Sequence, residues 1–317
     1  MKILFVTHHY PNYVPDLLLH GLRKISGPDV VDYPKKECLY KGVLGLGICP
    51  DDQCCPNWFP GDYGQIDRED IWRKVKTGYF KYIVCDCRAF EWFIHSLSEL
   101  PKGLVIIDGE DMPVKIPAGK YAICRRETDG SDLSIPLPMA LPEEILYWII
   151  RYDNLPKEYT IGFLGSTHDD ERKRLVEAIA RLYPGSLLKA TGVPSDINCS
   201  PDGRFGRNDY YKKLQGCKVV LSLPGAGYDT FRFWENAASN ALHVSFRMPL
   251  YIPYDFEEGR HILRFTNLDE LTRIIDRVLE GKIRRDEIIR EGRHKLVNYH
   301  LTTKRAQYFI NKIEDVF

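Results

Sequence analysis

Two Rossmann-like α/β lobes facing a central cleft are the architecture this sequence predicts, on three observations. The chain has 317 residues, of which 44% are hydrophobic, a length that suits two domains of roughly 150 residues better than one core. Strand-like and helix-like segments alternate in both halves, the signature of parallel sheets with helices on their faces. A proline-punctuated stretch, PLPMALPEEILYWIIRYDNLPKEY, separates the two cycles. The expected division is 1–150 and 151–317.

In the first half KILFVT reads as a buried strand, the apolar-periodic run from Asp16 to Ile25 as a helix and VVDY as a second strand. Residues 35–67 are rich in Gly, Pro, Cys and Asp with weak periodicity, as in a long irregular insertion. Asp67 is expected to cap a helix that runs through Lys76. YFKYIVCDC follows as a strand, AFEWFIHSLSEL as a helix and GLVIID as a strand ending at Asp108.

The second half repeats the pattern. TIGFLGS is a strand, and HDDERKRLVEAIARLY is a helix whose first-turn acids suit its positive end. SLLKATG, KVVLSLPG and LHVSF are strands, separated by the helices NDYYKKLQGC and DTFRFWENAASNA; LDELTRIIDRVLEG is the next helix. The last two segments, RRDEIIREGRHKLVNYH and TTKRAQYFINKIEDVF, are helical in pattern and are candidates to cross back over both lobes.

Forty-four basic residues balance 44 acidic ones, so no global field advertises nucleic acid or an anionic membrane as partner. The N-terminal apolar run ends in histidines and lacks a cleavage site, and no run reaches about 18 apolar residues. An intracellular, cytoplasmic protein without signal peptide or membrane span is therefore expected. Nine cysteines read as reduced thiols, and Cys38, Cys49, Cys54 and Cys55 lack the C-x-x-C spacing of a metal site. No metal is expected. Cys85 and Cys87 read as packing residues.

Chemistry should lie at the carboxyl ends of the strands. Gly225 and Gly227 follow one such end, in SLPGAGYDTFRFWENAASNALHVSF, and a helix begins near Asp229 or Thr230. Glycines admit close backbone approach and a helix start offers free N–H groups to an anion, so this is a candidate phosphate cradle. Arg232 and Glu235, three apart, share a helical face. The arginine suits a diphosphate and the glutamate two ribose hydroxyls; a surface ion pair accounts for the same spacing. Gly165, Ser166 and Thr167 form a second strand-to-helix turn, open equally to a phosphate or to simple capping. Arg204 and Arg207 are further phosphate candidates.

This central segment resembles the C-terminal signature of exostosin-like glycosyltransferases, with its acidic-Ser/Thr pair, Arg, aromatic pair and Glu. It also looks like the second domain of spore-protein-like glycosyltransferases, whose first strand is similar to TIGFLGS and whose following helix carries an Arg like Arg172. The resemblance covers about residues 160–280. It implies the two-lobed GT-B architecture, a nucleoside-diphosphate sugar donor, a glycan or glycoconjugate acceptor and no obligatory cofactor or metal. It puts Arg232 on the diphosphate and Glu235 on the ribose, with Asp229 and Thr230 at the helix start. Asn240 departs from the pattern, standing where such families often have glycine.

Transfer by direct displacement with inversion needs a base from the opposite lobe. VIIDGEDMP offers Asp111 and Asp108 at a strand end, and THHYPNY offers His8 and His9 at another; turn chemistry and a packed histidine are the plainer accounts of each. Arg125 and Arg126 are candidates to support the leaving group or to bridge lobes. A retaining reaction would lean on Arg207 with Lys212 or Lys213. The function expected is sugar transfer to a hydroxyl; the alternative is a sugar-nucleotide-binding or scaffold protein of the same fold. A nicotinamide enzyme is disfavoured because no complete dinucleotide fingerprint is present.

Overall fold

The computed structural model describes residues 1–40, 59, 65–165, 170–190 and 207–317. Its strands form two all-parallel sheets. The first contains β1 (Ile3–Val6), β2 (Val30–Tyr33), β3 (Tyr82–Asp86), β4 (Leu104–Asp108), β5 (Ala122–Arg125) and β6 (Ile135–Pro136), in the order β2-β1-β3-β4-β5-β6. The second contains β7 (Tyr159–Gly165), β8 (Leu187–Ala190), β9 (Cys217–Ser222), β10 (Leu242–Phe246) and β11 (Leu263–Phe265), in the order β11-β10-β9-β7-β8. Central strands such as ILFV and LVIID are buried at every position. Continuous apolar runs of this kind are what helices on both faces of a parallel sheet demand.

The helices are α1 (Tyr13–Ser26), α2 (Ile71–Lys76), α3 (Phe90–His95), α4 (Glu143–Ile150), α5 (Asp170–Leu182), α6 (Arg207–Gln215), α7 (Phe231–Ala238), α8 (Leu268–Leu279), α9 (Arg285–Tyr299) and α10 (Thr302–Glu314). The two-lobed α/β reading holds, and the proline-rich joint contains α4. The final helix crosses back to the first lobe. On α1, Gly21 meets the chain so closely that a Cβ there would lie 2.1 Å from the Thr302 carbonyl oxygen. Next to it, His20 Nδ1 lies 2.8 Å from the Thr302 hydroxyl, which donates to Glu143 at 2.8 Å. No described helix is long and apolar enough to cross a membrane.

Three local expectations need correction. Asp67 does not cap α2. The helix begins after Asp70, which sits in the left-handed region at φ 50°, while Asp67 accepts from the Glu69 amide and pairs with Lys74 at 2.7 Å. The helix expected from AFEWFIHSLSEL is confined to Phe90–His95. Strands β5, β6 and β11 join the sheets without having been anticipated. Cys49, Cys54 and Cys55 lie outside the described residues, whereas Cys38 and Cys85 are buried free thiols. Burial raises Cys85 well above its ordinary range.

Candidate active site

In each sheet the strand order reverses once, and ligands of such sheets bind outside the carboxyl ends at that reversal. In the second sheet it falls between β7 and β9. Two arginines converge there. Arg232, on the first turn of α7, donates through Nε to the Leu164 carbonyl at 2.7 Å. Its guanidinium lies against Gly165, where a Cβ would come within 2.5 Å of it. Arg172, on α5, is buried and donates to the Leu223 carbonyl at 3.4 Å. The two guanidinium carbons stand 5.2 and 5.9 Å from the centroid of the Phe163 ring. Two guanidiniums at one strand-end mouth offer the planar, charged donors that suit a polyanion.

Glu235 lies one turn further along α7 and is buried. Its two oxygens accept hydroxyls from Tyr210 and Tyr211 of α6, both at 2.9 Å. The Tyr210 phenol is held well above its usual range, chiefly by burial and then by the Glu235 charge, with Arg232 opposing. Arg232 and Glu235 are therefore not a plain surface ion pair. They share the Tyr210 hydroxyl as neighbour.

Three amides of the glycine loop expected to be open to a phosphate are already engaged. Gly225 N–H bonds to the Gly227 carbonyl at 2.7 Å. The amides of Tyr228 and Asp229 donate to the carboxylate of Glu127, a first-lobe residue, at 3.1 and 2.9 Å. Asp229 is fully buried, with one oxygen on the Met139 amide at 2.6 Å and the other on the Trp234 indole at 2.8 Å. Thr230 is the N-cap residue of α7 but makes no capping bond with its side chain. The Tyr228 and Asp229 amides are thus engaged by a carboxylate that is distant in sequence.

The turn at Asn240 is held by its side chain. The amide donates to the Asp153 carbonyl at 2.8 Å, while the Asn240 backbone N–H bonds to Gln215 at 2.7 Å. Glycine could make only the second of these. Ser166, Thr167 and Arg204 lie outside the described residues, as does the side chain of Arg207. Lys212 and Lys213 lie over the rings of Tyr152 and Tyr159.

On the first lobe the reversal falls between β1 and β3. The loop after β1 carries His8 and His9, whose rings are 4.2 Å apart. Buried Lys36 holds this loop, donating to the carbonyls of His8 and Tyr10 at 2.6 and 2.7 Å and pairing with buried Asp16 at 3.0 Å. His8 is half-buried, and its Nδ1 accepts the Tyr10 amide at 3.2 Å, which leaves its proton on Nε2. Burial, then His9 and Lys36, lower its pKa, so the ring is neutral at pH 7. His9 is exposed and makes no side-chain hydrogen bond among the described residues. At the end of β3 the buried Asp86 carboxyl is pushed up to about 6, mainly by desolvation.

The two acids after β4 differ sharply. Asp108 is buried, accepts the Val114 amide at 2.9 Å and pairs with Arg125 at 2.7 Å. It organises the turn and has no open face. Asp111 is half exposed and pairs with buried Arg126 at 2.8 Å. A separate convergence of ligand-type groups, His20 with Glu143 and Glu144, already carries a cation, since the Lys24 ammonium lies 2.6 Å from Glu144 and 3.6 Å from Glu143.

With this geometry in view, residues 171–311 match the profile of the family described as "Glycosyl transferase-like". The whole chain shares its fold with GT-B glycosyltransferases. A glycosyltransferase from Rickettsia africae is 12% identical with a TM-score of 0.57, covering 99% of this chain and 98% of that one. Anabaena HepE in complex with UDP is 12% identical with a TM-score of 0.55, covering 99% and 100%. Sucrose-phosphate synthase from Thermosynechococcus elongatus is 12% identical with a TM-score of 0.54, covering 100% and 99%. No curated protein matches.

Proposed function

We propose that this protein is a glycosyltransferase that takes a sugar from a nucleoside-diphosphate donor and passes it to a glycan hydroxyl. The observation that carries the reading is the convergence of Arg172 and Arg232 on Phe163 at the reversal point of the second sheet. A diphosphate there meets donors from both guanidiniums, and the charge that develops on it as the sugar departs is stabilised by groups already in place. HepE is described in complex with UDP and with UDP-glucose, which makes a uridine nucleotide the first donor to try. Glu235 serves this site by fixing Tyr210 and Tyr211, and hence α6, beside Arg232.

The base in this reading is His9, at the reversal point of the opposite sheet, removing the acceptor hydroxyl's proton during a single displacement with inversion. His8, with its proton on Nε2, orients the same hydroxyl. Asp108 is consumed by its turn, and Asp111 is engaged by Arg126. An exposed imidazole with no side-chain hydrogen bond among the described residues is better placed for general base work than a carboxylate already engaged by a turn or a cation. The metal-free, cofactor-free mechanism expected of the resemblance is kept as part of this proposal.

The test is transfer from UDP-sugars to glycan acceptors by wild type, His9→Ala and Asp111→Asn, with UDP affinity measured alongside. His9→Ala should lose transfer by about 100-fold or more while UDP affinity stays within about twofold. Full transfer by His9→Ala would remove His9 as base, and loss confined to Asp111→Asn would return that role to the acid. Binding of UDP-sugar by wild type without turnover would leave the non-catalytic alternative.

A further inference from the structure

The geometry points to Arg126, a residue the sequence offers as a bridge between lobes, and Glu127, which it does not single out, as an interlobe clasp: a positioning pair that holds the glycine loop of the second lobe on the first. The pair immediately follows β5, at the carboxyl end of the first sheet. Glu127 takes the Tyr228 and Asp229 amides, and Arg126 donates through Nε to the Asp229 carbonyl at 3.1 Å and again through a terminal nitrogen. Arg126 also reaches the Gly109 carbonyl at 3.3 Å and Asp111 at 2.8 Å. Four bonds thus cross from one dipeptide to the two residues that precede Thr230. Both side chains are at least nine-tenths buried, so these bonds are shielded from water and count for more than surface contacts.

The closeness of the contact explains Gly227. A Cβ there would lie 2.6 Å from a Glu127 carboxylate oxygen and 3.1 Å from Arg126. Gly227 does not have a positive φ, so its requirement is space and not backbone conformation. The loop then runs directly into α7, whose second residue is Arg232. Fixing residues 228 and 229 to the first lobe fixes the start of the helix that aims this guanidinium at the reversal point. A second contact follows the same line: Tyr13, at the start of α1, stacks on Phe231 with centroids 5.3 Å apart. The clasp is therefore a way in which the acceptor-side lobe sets the geometry of the donor-side arginine. It rests on the proposed function only in what Arg232 grips.

Amide hydrogen exchange on the ligand-free full chain tests the clasp, and UDP titration of the same proteins tests its coupling to the site. In Glu127→Ala the Tyr228 and Asp229 amides should exchange about tenfold faster or more, and Glu127→Gln, which keeps one acceptor, should be intermediate. Gly227→Ala should reproduce the Glu127→Ala effect from the other lobe by expelling the carboxylate, and the double variant should add little to either. UDP affinity should fall about three- to tenfold in each variant whose cooperative unfolding is retained. Unchanged exchange in Glu127→Ala, or strictly additive effects in the double variant, overturns the clasp. Altered exchange with unchanged UDP affinity overturns the positioning role. If wild type itself does not bind UDP, the proposed donor fails while the exchange arm still decides the clasp.

Discussion

Asp229 and Trp234 are joined by a 2.8 Å hydrogen bond from indole to carboxylate inside the molecule, with neither residue exposed. The other Asp229 oxygen holds the Met139 amide, and the Arg305 guanidinium lies 5.7 Å from the Trp234 ring. A residue expected to meet the donor is thus a joint between β9–α7, the joining segment and α10. Asp229→Ala strands an indole N–H, an amide and a buried cation. It should lower unfolding free energy by about 3–5 kcal/mol, measured by urea denaturation. A fully stable variant that had lost UDP binding would restore the ligand-contact role.

Gly21 tests the return of the last helix. Its missing Cβ is what lets α1 lie on the Thr302 carbonyl, so Gly21→Ala must push α10 away. Overpacking against backbone should cost about 1–3 kcal/mol or more, with faster exchange concentrated in residues 300–314. Wild-type stability in this variant would mean that the contact is looser than described.

The buried histidines should make acid destabilise the protein from about pH 6.5 downward, opposed in part by Asp86, whose carboxyl, pushed up to about 6, takes up its proton in the folded chain first. Burial lowers His243 to about 3 and His300 well below its ordinary value. The unfolded chain takes up these protons near pH 6.5 and the folded chain does not, so the stability present above that pH falls as pH drops below it. For His243 the fall continues toward pH 3, at about 1.4 kcal/mol per unit for each histidine. Urea unfolding at pH 7.5, 6.0 and 5.0 checks the slope. A flat profile from 7.5 to 5.0 contradicts it.

Much of this architecture was legible because long apolar runs and amphipathic helices follow from burial alone. Strands β5, β6 and β11 were not legible: they span four, two and three residues, too short for a period to show. AFEWFIHSLSEL misled because its apolar spacing continues after the helix has ended at His95. At the site, Arg232 could be picked out by its place after the glycines. Arg172 showed only through resemblance, since its approach to Phe163 depends on how α5 packs. Glu127 gave no local signal at all, because its partners are a hundred residues away. Without it the glycine loop looked like an open cradle, and with it the amides of Tyr228 and Asp229 are already taken. Asp108 and Asp111 looked equivalent in DGED, and only burial separates them.

Calorimetric titration of UDP into wild type, Arg232→Gln and Arg172→Gln measures the central claim most directly. The account predicts saturable binding by wild type and about tenfold or greater weakening in each variant, because each removes a charged donor from the diphosphate. Equal affinity in all three proteins, or wild-type preference for NAD over UDP, would contradict it.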